Sequence, residues 1–114
     1  MTEYRSTGKT TLTSDVLLTI VRMAALEVEG VKGMAPVRGG VNSLFKRGNE
    51  GVRLVVEDNN VFVDIYLVLA NDVNIREVSR MVQQTVARAI SEMTGMEVGD
   101  VNIHIEDIDF NNEV

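Results

Sequence analysis

Cysteine and tryptophan are both absent from this chain, and histidine and proline occur once each. Without cysteine there is no disulfide framework and no thiolate zinc site, and nothing argues for an oxidising compartment. A single histidine, His104, has no second imidazole at ligand spacing and no nucleophile beside it, so it reads as an exposed strand residue. Aromatic residues make up 4% of the chain, too few for the stacking platforms that grip single-stranded nucleic acid. No apolar run approaches the length of a spanning helix, and residues 1–12 are polar and Thr-rich, unlike a signal peptide. The expected location is therefore cytoplasmic.

Charge is scarce in one place and of one sign in another. The net charge is −6, yet all 11 Lys and Arg lie before residue 97. From Glu97 onward Asp100, Glu106, Asp107, Asp109 and Glu113 meet no cation, which disfavours phosphate backbones or anionic lipid at that end. At 114 residues the chain fits one domain that buries roughly 65% of its unfolded surface. We assign residues 1–110 to that domain and 111–114 to a short acidic tail.

Two stretches share a form, a helix stopped by glycine and followed by strand or loop, which suggests two similar halves. Gly8 to Thr13 is Thr-rich enough for a short strand, and Ser14 and Asp15 supply an N-cap and a first-turn acid. A first helix over about 15–28 carries Leu17, Ile20, Val21, Ala24, Ala25 and Val28 as its apolar stripe. Gly30 and Gly33 end it, and Pro36, Gly39 and Gly40 keep the next stretch irregular. Residues 51–57 alternate with period two, Asp58-Asn59-Asn60 suits a tight turn, and Val61 to Ala70 is apolar on both faces except at Asp64, as in a central strand. A second helix from Ile75, with Val78, Val82, Val86, Ala89 and Met93 following the i, i+3, i+4 pattern, ends near Gly95. The last strand alternates through Val101, Ile103 and Ile105, then slips phase at a bulge or end near Asp107. The fold class predicted is α+β, a four-stranded mainly antiparallel sheet with two helices on one face in β-α-β-β-α-β order.

Chemical motifs are few. Gly8-Lys9-Thr10-Thr11 echoes a phosphate-binding loop, but Glu3 stands where its first glycine belongs. Gly30-Val31-Lys32-Gly33 matches the backbone clamp of KH domains, which needs a second helix straight after it; Pro36, Gly39 and Gly40 favour a helix-terminating turn instead. One surface stretch has character. Arg38, Lys46 and Arg47 accompany Leu44 and Phe45 on a glycine-flanked segment, which makes it either a loop folded over its own apolar residues, an anion site or a partner-docking loop.

These residues together resemble the bacterial alkaline shock and general stress protein family, also described as envelope stress response proteins. The resemblance spans nearly the whole chain. It rests on Gly8 to Ser14, on Val28-Glu29-Gly30-Val31-Lys32-Gly33-Met34, on Gly51-Val52, on Val63-Asp64-Ile65, and on Met93-Thr94-Gly95-Met96 leading to Val101-Asn102-Ile103-His104-Ile105. The segment from Val37 to Glu50 departs from it, and the long charged extensions of some members are lacking. The resemblance implies a non-enzymatic protein without cofactor or metal, peripheral at the inner face of the membrane through an anchor protein, and forming homo-oligomers. It carries over only structural residues, Gly30 and Gly95 as helix exits and Asp64 as a polar position.

The function expected is thus a stress-associated scaffold that self-assembles and docks a protein partner, a membrane anchor, through Arg38, Leu44, Phe45, Lys46 and Arg47. Direct membrane insertion is not expected. A sheet edge is a second candidate surface for self-pairing. Two alternatives remain: a small KH-like nucleic-acid-binding module, opposed by the net charge, and a regulatory subunit linked to fatty-acid metabolism.

Overall fold

The computed structural model describes residues 13–35 and 51–110, which form α1 (Ser14–Glu27), β1 (Val31–Met34), β2 (Val52–Glu57), β3 (Asn60–Ala70), α2 (Ile75–Thr94) and β4 (Glu97–Asp109). The strand expected at Gly8 to Thr13 lies outside the described residues except for Thr13, which caps α1. Its Oγ1 accepts from the Val16 N–H at 3.3 Å, so the N-cap is Thr13 and the expected cap, Ser14, is already the first helical residue. Asn74 caps α2 in the same way, its Oδ1 accepting from the Glu77 N–H at 3.0 Å.

The three predicted helix-ending glycines separate. Gly30 has φ +105° in the turn between α1 and β1, and Gly95 is the left-handed C-cap of α2, its N–H donating to the Ser91 carbonyl. Gly33 ends no helix. It sits inside β1, a strand where irregular chain was expected, paired with Val68 next to a register irregularity. Four residues containing a glycine show no period of their own, and β1 owes its existence to the neighbouring strand.

That neighbour is β3. It pairs antiparallel with β2 from Asn60 to Ile65, antiparallel with β1 from Leu67 to Leu69, and parallel with β4 along its whole length. Two antiparallel pairings against one parallel make the four-stranded sheet mainly antiparallel, as predicted. The β2–β3 hairpin turns on Asp58 and Asn59, with φ of 48° and 68°, the positive pair that a two-residue turn between twisted strands requires. The chain's two halves are not alike: α1 leads to a short antiparallel strand, whereas α2 is the crossover joining β3 to its parallel neighbour.

Period two divides β3 into faces. Val61, Val63, Ile65, Leu67 and Leu69 are fully buried in one cluster with Val21 and Ala25 of α1 and Val82, Val86 and Ile90 of α2. Both helices therefore cover the same face. Phe62, Asp64, Tyr66 and Val68 point the other way, to a face that carries no helix among the described residues. The phase slip in β4 is a bulge between Ile105 and Asp107, with Glu106 as the extra residue. No described helix is long and apolar enough to cross a membrane.

Candidate functional site

Because β1 and β2 both pair antiparallel with β3, on successive stretches of it, they run in the same direction and lie end to end. They are two pieces of one edge strand. Where they meet, the Ala35 N–H donates to the Tyr66 carbonyl at 2.9 Å, and the Tyr66 N–H donates to the Gly51 carbonyl at 2.8 Å. Two residues thus oppose one, the arrangement of a β-bulge, with residues 36–50 leaving and returning at the bulge itself. Gly51 makes this closure possible. Its φ is +82°, and a Cβ there would stand 2.6 Å from Cβ of Met34.

Tyr66 serves the opposite edge as well. Its ring stacks on the imidazole of His104 in β4, with centroids 4.4 Å apart and planes 12° from parallel. The His104 Nε2 lies 3.0 Å from Oδ1 of Asp64, two residues back along β3. An ionised carboxylate only accepts, so the ring donates from Nε2. The side chains are 40% exposed for His104 and 30% for Asp64, so the pair belongs to a solvated surface. Arg53 of β2 is the register partner of Asp64 on its other side. A cation, a carboxylate, an imidazole and a phenol therefore share the helix-free face, with the closure point of residues 36–50 at its edge.

The predicted docking residues Arg38, Leu44, Phe45, Lys46 and Arg47 lie outside the described residues; the structure places only the two ends of their segment. His104, expected as a solitary exposed residue, is held by Asp64 and Tyr66. The only cue in the sequence was that the one acid of β3 and the one histidine of β4 fall in the same phase of their alternations. Val31, Lys32 and Gly33 of the Gly30-Val31-Lys32-Gly33 motif lie within β1, which ends one residue later at Met34, so the motif is not the turn between two successive helices that a KH clamp needs. Among the described residues, no three His, Cys, Asp or Glu side chains are grouped to hold a metal ion.

Comparison with known proteins agrees with this fold. Residues 2–110 match the alkaline shock protein 23 family, described as having a cell envelope-related function. The YqhY protein of Bacillus subtilis is 33% identical over 109 residues, covering 90% of this chain and 78% of YqhY. A Streptococcus pyogenes protein is 32% identical over 106 residues, covering 89% of this chain and 88% of its own. Two solved structures of the MamM CTD align with TM-scores of 0.55 and 0.54 at 11% identity, covering 85% and 84% of this chain and 100% and 98% of theirs. At that identity the likeness is one of fold alone.

Proposed function

This chain belongs to the alkaline shock protein 23 family, whose function is cell envelope-related, and on that premise we propose that it is a non-enzymatic scaffold of the envelope stress response. It assembles with copies of itself and docks a membrane-anchor protein through residues 36–50. The observation that carries this reading is the closure of that segment on Tyr66. An edge strand that is hydrogen-bonded to β3 immediately before and after the excursion does not need the excursion in order to pair. A segment carrying Arg38, Leu44, Phe45, Lys46 and Arg47 on such a footing is free to serve recognition.

Affinity capture of the tagged protein from its native host tests this. The triple substitution Arg38→Ser, Lys46→Ser and Arg47→Ser should weaken recovery of a membrane-anchor protein. Deletion of residues 36–50, joining Ala35 to Gly51, should abolish it, with the far-ultraviolet circular dichroism unchanged in both variants. Undiminished capture by a folded deletion variant would refute the docking role. The nucleic-acid alternative is weakened at its Gly30-Val31-Lys32-Gly33 motif, since Val31 to Gly33 are strand residues of β1.

A further inference from the structure

The sheet buries the inner faces of α1 and α2 but leaves a groove between them on their outer side. Ile20 and Ala24 of α1 and Ala89 of α2 line it, with Met23 and Met93 standing at its margins. Those methionines are 62% and 67% exposed, and among the described residues only Phe110 is a more exposed large hydrophobic side chain. Two long, adaptable apolar side chains exposed beside Ala24 and Ala89 form a knob-and-hole surface among the described residues. Glu27, Arg88 and Glu92 also line the groove, and none of the three is ion-paired among the described residues.

We propose that this α1–α2 groove is the surface through which two copies of the chain pair, about a two-fold axis. The charges select that occupant. A surface bearing charges of both signs can complement itself under a two-fold operation, because Arg88 of each copy can face one carboxylate of the other, Glu27 or Glu92, with the second carboxylate left at the solvated margin. The apolar part is complementary to itself in the same sense, with the methionines of one copy opposite the alanine floor of the other. A uniformly basic partner helix would leave Arg88 opposed to like charge. The inference rests on the self-assembly half of the proposed function and gives it a location.

Sedimentation equilibrium of the full chain tests it, using Met23→Glu, Arg88→Glu, the double variant Glu27→Arg with Glu92→Arg, and an equimolar mixture of the last two. All four positions are exposed, and circular dichroism establishes that the variants fold. The wild type should dimerise. Met23→Glu, Arg88→Glu and the double variant should each raise the dissociation constant roughly tenfold or more, and the charge-swapped mixture should recover most of that loss. A wild type that stays monomeric overturns both this pairing and the self-assembly reading. A wild type that associates, with variants that associate equally well or a mixture that recovers nothing, overturns the groove pairing and leaves self-assembly standing on another surface.

Discussion

Oδ1 of Asp64 and Nε2 of His104 meet at 3.0 Å across a sequence separation of 40. The parallel register sets His104 opposite Tyr66, so its ring lies against the phenol and reaches diagonally back to the carboxylate.

The pair should be worth little in free energy, because both side chains are wetted. In a double-mutant cycle with Asp64→Ala and His104→Ala, followed by urea unfolding at fixed pH, the coupling should be about 0.5 kcal/mol. Each single variant should lose about 1 kcal/mol, the His104 variant also losing its stacking on Tyr66. A coupling below about 0.2 kcal/mol would mean that solvent screens the contact completely.

Much of this architecture was readable before any coordinates, and the failures have physical causes. The central strand was marked by an apolar run broken only at Asp64, the hairpin by Asp58 and Asn59, and α2 by its stripe of Val78, Val82 and Val86. β1 was invisible because Gly33 leaves it no alternation, and it forms only by pairing with the end of β3. The alternation in β4 is legible only from Val101 because a register irregularity between Val98 and Asp100 interrupts the period. Thr13 and Ser14 are both good caps, and only backbone geometry chooses between them. The Asp64–His104 contact could not be read at all without the parallel register. For the basic segment, the sequence supplied the residues and the structure supplied its footing on Tyr66.

Three glycines should respond to alanine in a graded order. Gly33 has no positive φ and nothing within 4 Å of a built Cβ, so Gly33→Ala should change stability by less than about 0.5 kcal/mol. Gly95 has φ +78° and open space, and the left-handed conformation alone should make Gly95→Ala cost about 1 kcal/mol. Gly51 combines φ +82° with a contact to Met34 Cβ that no rotamer change relieves, and Gly51→Ala should cost about 2 kcal/mol or more. Urea midpoints measure all three. A Gly51 variant as stable as the Gly33 variant would contradict the tight closure at Tyr66.

Helices on one face of the sheet alone, among the described residues, predict alternation in mutational sensitivity along β3 away from Tyr66, which is buried on the other face. Leu67 is fully buried beneath the helices, and Leu67→Ala should lose about 2–5 kcal/mol through transfer and cavity terms. Val68, its neighbour, is only half-buried on the helix-free face between Gly33 and Asp107, and Val68→Ala should lose less than about 1 kcal/mol. Equal losses at both positions would show that the second face is covered as fully as the first.

The helix caps give a last test, since it distinguishes neighbours of similar chemistry. Thr13 contributes a side-chain bond of 3.3 Å, but its carbonyl also accepts from the N–H groups of Val16 and Leu17, and those bonds survive truncation. Thr13→Ala should therefore cost only about 0.5–1 kcal/mol, and Ser14→Ala, one position inside the helix, less than about 0.5 kcal/mol. Asn74 holds the Glu77 N–H at the shorter distance of 3.0 Å and heads the longer helix, so Asn74→Ala should cost about 1 kcal/mol or slightly more. Chemical denaturation of the three variants checks the order. A Ser14 variant weaker than the Thr13 variant would move the first cap one residue along the chain and shift the start of α1 with it.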